Sequence, residues 1–417
     1  MQDDTMLGGY RVLDLTEGGC LIGGQIFGDL GADVIKIEPP RGSPSRTMGP
    51  FYKDIPDPEK SLFWFAYNRN KRSITLDIEK ADGREVFKRL VKTADIVLES
   101  FYPDYLDALG LGYADLCRVK SDIILTSVTP YGSSGPKSHY KASDLTTWAA
   151  SVILFITGDP DRAPTWVSWP CAGLHGGIEG VFASLFALWH RESTGEGQHV
   201  DAAIQPYLLQ HATGSYYYWE CLSFNFPRMG PAIKYVLTVS PMLHRCKDGY
   251  VFLPIGGGAT AGMADSTARF VQWMDEEGAA PQWLVKRDWV FEHDTSKMTQ
   301  EEVDRVVSPF VEFLRTKTKS EVSEEAAKRG IMACAVSDTT DICHDRHLQA
   351  RDFWVEIEHP ELGQSITYNG PFIKLSEAPM KTFRRAPLIG EHNEEIYEKD
   401  LGLSREELIR LCEAGVI

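Results

Sequence analysis

The side chains best suited to chemistry are scattered along the chain, and each grouping is weak by itself. After a short apolar run, Arg11-Val-Leu-Asp-Leu15, the glycines Gly18, Gly19, Gly23 and Gly24 open a helix-length stretch. Free N–H groups at such a helix start attract phosphate. Their spacing does not fit G-x-G-x-x-G, and Glu38, ending the next apolar run, only imitates an acid that holds a ribose. A nicotinamide cofactor is therefore not expected. The run Gly256-Gly-Gly258-Ala-Thr-Ala-Gly262 lacks the Lys-Ser/Thr of a nucleotide loop and reads as a tight turn. Cys343-His344-Asp345-Arg346-His347 gathers metal-capable groups without a second ligand pair at zinc spacing, so it reads as solvated loop, and no metal is expected. Neither a G-x-S-x-G elbow nor an H-E-x-x-H pair occurs. Tyr216-Tyr-Tyr-Trp219 reads as core or interface packing. Asp14 and Asp201 lie inside strand-like runs and read as structural.

The elements that must hold these residues alternate between two periods. Strand-like runs at 11–15, 34–38, 73–77, 95–99, 122–128 and 199–204 are interleaved with helical patterns at 20–30, 83–93 and 176–192. In the last of these, Ile178, Val181, Phe182, Leu185 and Leu188 form one stripe. Repeated βαβ units predict an α/β, Rossmann-like large domain with a mostly parallel sheet. The texture changes near Pro227-Arg-Met-Gly-Pro231. We read residues 1–224 as the first part of the large domain, 225–335 as a smaller α+β domain, and 336–417 as a return segment that ends in an acidic helix over 393–417.

Composition narrows the class further. The chain has 417 residues, with 43 Lys+Arg against 59 Asp+Glu, a formal charge of −16. That balance argues against nucleic acid as a partner. No apolar run reaches the ~18 residues of a membrane span, and residues 1–10 show no secretory pattern. The eight cysteines form no CxxC pair or disulfide framework. A cytoplasmic globular protein is expected. Residues 36–92 depart from the general acidity, with 13 Lys+Arg against 8 Asp+Glu.

Several phrases occur together in one order. Val12-Leu-Asp-Leu15 precedes Phe27-Gly-Asp-Leu-Gly-Ala-Asp-Val-Ile-Lys-Ile-Glu-Pro39; Asn70-Lys-Arg-Ser-Ile-Thr-Leu-Asp77, Asp95-Ile-Val-Leu-Glu-Ser-Phe101 and His190-Arg-Glu-Ser-Thr-Gly-Glu-Gly-Gln198 follow. Ala350-Arg-Asp-Phe353 and Pro387-Leu-Ile-Gly-Glu-His-Asn393 complete the set. Along nearly its whole length the chain resembles the class III CoA-transferases, the family of formyl-CoA and carnitine CoA-transferases. That resemblance implies two ring-like subunits threaded through one another. It also implies a carboxylate nucleophile that attacks an acyl-CoA thioester to give a mixed anhydride, then an enzyme–CoA thioester that passes CoA to an acceptor acid. Coenzyme A, or acyl-CoA, would enter as substrate.

Residue by residue, the carry-over is incomplete. The family's nucleophilic Asp falls at Gly173, which has no side chain; its Gln near the first helix falls at Gly18, and an Arg that holds CoA phosphate falls at Ala108. The CoA-holding positions that keep a suitable group are Lys71, Arg72, Ser100 and Phe101, with Arg41 and Lys141 as weaker matches. Cys171, His175 and Glu179 are the neighbours that could replace the Asp; Glu179 stands six residues on, about 600° around a helix, and should point elsewhere. The chain is thus expected to be the non-catalytic subunit of a heteromeric transferase, partnered by a homologous chain that carries the Asp. It is similar to the E-type subunit of the two-subunit enzymes that move CoA from succinyl-CoA to benzylsuccinate in anaerobic toluene degradation, whose long insert after the second strand matches residues 43–70. The alternatives are a self-sufficient homodimeric transferase or isomerase with a relocated nucleophile, and a protein that binds acyl-CoA without turnover.

Overall fold

Period-two alternation in six short apolar segments builds one sheet. The computed structural model describes residues 5–234, 238–258, 261–295 and 297–417. Its first layers run β1 (Arg11–Leu15), α1 (Leu21–Asp29), β2 (Asp33–Glu38), α2 (Leu62–Asn68), β3 (Lys71–Thr75), α3 (Ala81–Val91) and β4 (Ile96–Glu99). Then come α4 (Tyr105–Ala108), α5 (Tyr113–Val119), β5 (Ile124–Thr129), α6 (Asp144–Ala150) and α7 (Val152–Ile156). The last of this series are α8 (Cys171–Thr194), β6 (His199–Ala203), α9 (Ile204–Gln210) and α10 (Thr213–Leu222). The strand order is β3-β2-β1-β4-β5-β6, and every pairing is parallel. This is the doubly wound order, with its switch point between β1 and β4, where the carboxyl ends of the strands open a crevice.

Alternate residues feed two cores. Leu13, Leu15, Ile35, Ile37, Ile74 and Val97 pack with Phe87 and Leu90 of α3, Leu116 of α5, and Ile396, Tyr397 and Leu411 from the end of the chain. Val12, Val34, Ile96, Leu98 and Ile124 pack on the other side with Phe27 of α1, Val181 and Leu188 of α8, and Leu208 of α9. At Gly177, a Cβ would lie 2.8 Å from Ile22 and 2.9 Å from the Cys20 carbonyl, so only glycine lets α8 approach α1 this closely. The stripe expected on α8 divides: Val181 and Leu188 are buried, but Ile178 and Phe182 face outward. At 24 residues, α8 is long and apolar enough to cross a membrane by length and composition, and its inner side packs into the sheet core.

The chain divides into two compact units, one of residues Met1–Leu154, Trp166–Phe224 and His347–Ile417, the other of Phe155–Thr165 and Asn225–Arg346. The return segment thus begins at His347, later than 336, and Phe155–Thr165 counts with the smaller unit. That unit has a three-stranded antiparallel sheet and helices such as Gln300–Leu314 and Lys319–Arg329, each opened by a Thr/Glu capping box. Phe270, Trp273, Phe310 and Phe313 fill its core. Of the glycine run at 256–262, residues 259 and 260 lie outside the described residues. The acidic helix expected over 393–417 is two pieces, Glu395–Asp400 and Arg405–Glu413, because Gly402 adopts φ +67° between them and Ser404 caps the second.

Candidate functional site

A groove of about 630 Å³ opens at the carboxyl ends of β1 to β4. Leu15, Ile37, Leu76 and Ile78 give it an apolar base, and Phe101 and Tyr105, with ring centroids 4.6 Å apart, give it an aromatic wall. Arg41 stands exposed at its edge. Lys80 also lines it, but its ammonium is held by the carbonyls of Ala414 (2.7 Å) and Gly415 (2.8 Å). The groove carries the carboxylates of Glu17, Glu38, Asp77 and Glu79 as well. It can take an apolar or aromatic body, with Arg41 as the exposed cation for an anionic end.

Of the expected CoA-holding residues, the structure brings Arg41 and Phe101 into this groove. Ser100 lies beside it, and its hydroxyl accepts a hydrogen bond from the Glu17 N–H at 2.9 Å, which fixes the loop after β1. Lys141 is exposed in the loop before α6 and is not among the groove's lining residues. Lys71 and Arg72 need correction. The Lys71 ammonium is wholly buried and donates to Asp14 (2.8 Å), the Leu21 carbonyl (2.7 Å) and Asn68 (2.8 Å), so it has no reach toward a phosphate. Its burial lowers its pKa to about 8 despite the Asp14 carboxylate beside it. Arg72, the second residue of β3, lies near the amino end of the sheet, where it pairs with Asp33 (2.6 Å), Glu395 (2.9 Å) and Asp400 (3.1 Å). Both cations are structural.

Glu17 joins the groove to that buried network. It accepts hydrogen bonds from the Ser43 and Ser45 hydroxyls, and Lys36 sits 3.9 Å from it and 3.8 Å from Asp14. Glu38, the ribose-like acid, is consumed by Arg46 (2.6 Å), the Ser73 hydroxyl (2.6 Å) and the Ser43 N–H (2.8 Å).

Gly173 lies in the first turn of α8, against the loop that follows β1. A Cβ there would stand 3.0 Å from Gly19 Cα and 3.2 Å from Gly19 N; one on Gly19 would stand 2.6 Å from Leu174 N. Backbone therefore touches backbone, and a Cβ at 173 would require the Gly19 segment to give by a few tenths of an ångström. A carboxylate does reach this turn, from elsewhere. Asp144 accepts from the Ala172 N–H at 2.6 Å and the Gly173 N–H at 3.4 Å, while its other oxygen accepts from Trp166 Nε1 at 3.0 Å. It thereby satisfies the orphan donors of the helix start.

The three neighbours of Gly173 do not converge on it. Cys171 is half-buried, and burial together with the Asp144 carboxylate raises its thiol pKa, which disfavours the nucleophilic thiolate. His175 turns to His211, at a centroid distance of 4.8 Å, and burial plus that second ring lower its pKa. Glu179 acts electrostatically on His175 and Tyr207, along the α9 side.

Two acids escaped the sequence reading. Asp144 carries only a weak signal, the Ser143-x-x-Thr146 capping box that places it at the start of α6. Glu99 ends β4 at the switch point with 6% exposure. Burial raises its pKa to about 7, against the pull of the Ser127 hydroxyl and the Phe101 N–H. No signal marks it beyond its place in a strand-end phrase. Among the described residues, no group of three His, Cys, Asp or Glu side chains is placed to hold a metal ion.

The sequence matches the model of "CoA-transferase family III" over residues 7–393. It is 34% identical to succinyl-CoA:(R)-benzylsuccinate CoA-transferase subunit BbsE of Thauera aromatica, an alignment that covers 98% of this chain and 97% of that one. Formyl-CoA:oxalate CoA-transferase of Streptomyces coelicolor is 30% identical over 99% of each chain. The crystal structure of a CAIB/BAIF family protein from Brucella suis superposes with a TM-score of 0.81 at 27% identity, over 95% of this chain and 99% of that one.

Proposed function

Because the chain belongs to CoA-transferase family III, we propose that it is the non-catalytic subunit of a heteromeric, cytoplasmic CoA-transferase. Its partner is a homologous chain that carries the nucleophilic Asp, interlocked with it, and together they move CoA from a succinyl-CoA-like donor to a carboxylic acid such as benzylsuccinate. The observation that carries this reading is the turn at Gly173: the residue has no side chain, the Gly19 backbone crowds the position a Cβ would take, and the N–H donors of the turn are engaged by Asp144. An oxyanion formed at this turn would find the donors already engaged. The similarity to a protein named as a subunit of a benzylsuccinate CoA-transferase supports the heteromeric assembly and the acceptor class.

In this reading the chemistry belongs to the partner. Its carboxylate attacks the donor thioester, giving a mixed anhydride and CoA thiolate. The thiolate attacks the enzyme's carbonyl and expels the donor acid, leaving an enzyme–CoA thioester. The acceptor carboxylate then expels CoA thiolate, which attacks the acceptor's acyl carbon in the second anhydride and frees the enzyme carboxylate. This chain supplies a rigid wall, with Arg41 and Phe101 as its contacts to CoA. The homodimeric alternative with a relocated nucleophile loses support from the raised thiol of Cys171 and from the directions of His175 and Glu179.

The test is intact-mass spectrometry of the chain after incubation with succinyl-CoA, alone and co-expressed with a homologue that carries the Asp. We expect an acyl or CoA adduct on the homologue and turnover only in the mixture. A stoichiometric adduct on this chain overturns the proposal.

A further inference from the structure

The groove at the carboxyl ends of β1 to β4 suits a flat ring better than it suits a phosphate monoester. Its apolar base and the rings of Phe101 and Tyr105 offer a purine two surfaces to rest on. Its charged lining consists of four carboxylates, Glu17, Glu38, Asp77 and Glu79, and two cations, Arg41 and Lys80. Partners within the fold decide which of these charges a ligand meets. Arg46 neutralises Glu38, and Lys36 stands 3.9 Å from Glu17. The Lys80 ammonium donates to the Ala414 and Gly415 carbonyls and lies 3.8 Å from Asp77. Neither Arg41 nor Glu79 forms an ion pair among the described residues, and both are exposed. The Glu79 carboxylate accepts from the Tyr105 hydroxyl at 2.9 Å, which sets it at the tip of the aromatic wall. The charges left for a ligand are thus one cation on the rim and one carboxylate beside the ring.

CoA brings two anionic groups to a nucleotide groove. One is a pyrophosphate, which 3′-dephospho-CoA shares. The other is the monoester on the ribose 3′ oxygen, with a charge of about −1.5 to −2 near neutral pH. A ribose phosphate is read by arginine, whereas a free ribose hydroxyl is read by an acid. A base resting on Phe101 and Tyr105 brings its ribose beside Glu79, which accepts from a hydroxyl and repels a phosphate. Arg41, out on the rim, is left for the pyrophosphate that leads away from the ribose.

We infer that this groove does not hold the 3′-phosphate of CoA and takes 3′-dephospho-CoA more tightly, with Glu79 as the residue that sets the preference. The inference rests on the reading above that CoA contacts Arg41 and Phe101, and it narrows which part of CoA this chain recognises.

Isothermal titration calorimetry of the full chain with CoA and with 3′-dephospho-CoA tests it. One carboxylate several ångströms from a phosphate, in a water-like dielectric, gives dephospho-CoA a preference of about threefold or more. Glu79→Gln keeps an oxygen for the Tyr105 hydroxyl and removes the charge, so the two affinities should come together. Arg41→Gln should weaken both ligands by the same factor, because it removes the partner of the group they share. Tighter binding of CoA than of dephospho-CoA, or no binding of either, overturns the inference. So does a preference that persists in Glu79→Gln, or an Arg41→Gln loss that is larger for CoA. The outcome is separable from the mass measurement: tighter binding of CoA without an adduct defeats only this inference, and a dephospho-CoA preference with an adduct on this chain defeats only the non-catalytic reading.

Discussion

Glu99 gives a stability measurement with a definite sign. Its carboxyl sits at the end of β4, and burial raises its pKa from 4.5 to about 7, with Asp107 and Asp201 acting in the same direction. An acid raised on folding holds its proton more tightly in the native state than in the unfolded one. Its contribution is therefore most favourable below about pH 4.5, declines as the pH rises, and levels off above about pH 7. With those two values, about 2–3 kcal/mol is lost through this one group between about pH 5 and about pH 8. Glu99→Gln keeps a carbonyl oxygen to accept from the Phe101 N–H and cannot ionise. Urea unfolding of wild type and variant at the two pH values isolates the effect, since every other titrating group cancels in the comparison. The variant should gain about 2–3 kcal/mol on the wild type in going from the lower to the higher pH. Parallel profiles would refute the reasoning, because they would mean that Glu99 titrates alike in the folded and unfolded chain.

Three further outcomes follow from the site. Gly173→Asp should cost about 1–3 kcal/mol, as overpacking does, because its Cβ meets Gly19 at 3.0 Å; it should also gain no acyl adduct from succinyl-CoA, and an adduct at unchanged stability would show that the turn can open. Lys71→Met should cost about 1.5–3 kcal/mol in urea unfolding by removing the nearer ammonium from the buried Asp14 carboxylate, which keeps Lys36 at 3.8 Å; a loss below about 1 kcal/mol would contradict the structural role given to Lys71. Asp144→Asn should lower the Cys171 thiol pKa by removing the adjacent charge, so alkylation of that cysteine near neutral pH, followed peptide by peptide, should speed up severalfold; an unchanged rate would mean that burial alone sets it.

The layers were legible in the sequence because period-two and period-3.6 patterns are local. All six strands of the sheet appear in the alternation, within two residues of their ends. What local pattern could not convey was direction and distance. The stripe on α8 was assigned to one buried face, whereas the helix has two apolar sides, and only the packing distinguishes Val181 from Phe182. The surplus of Lys and Arg over 36–92 reads in the sequence as a basic departure from the general acidity. In the folded chain Lys36, Arg46, Arg69, Lys71 and Arg72 are buried, paired with Asp14, Glu38, Asp29, Asp14 and Asp33. Most of those acids stand upstream of the stretch, so counting charge within a window separated the cations from the partners that neutralise them. Asp144 was missed for the same reason, since it is 28 residues from the helix start it caps.

The packed turn at Gly173 bears on more than the side chain glycine lacks. Removing a side chain from a close-packed site leaves either a void, at a cost that grows with its volume, or a rearranged neighbour. Here the Gly19 backbone lies against the turn, an approach that requires glycine at 19 and leaves a Cβ at 173 only a tight fit, and two helix-start N–H groups are held by Asp144. These two compensations come from segments far apart in the chain, the loop after β1 and the start of α6, and they meet at one turn. A turn satisfied in both packing and hydrogen bonding gains nothing from an incoming acyl group, whose oxyanion would have to displace Asp144 and whose bulk would have to separate α8 from the loop. The groove on the other side of that loop keeps its apolar base, Phe101 and Arg41. The chain therefore pairs that groove with a turn already engaged in packing and hydrogen bonding, an arrangement consistent with the proposed second chain that brings the carboxylate.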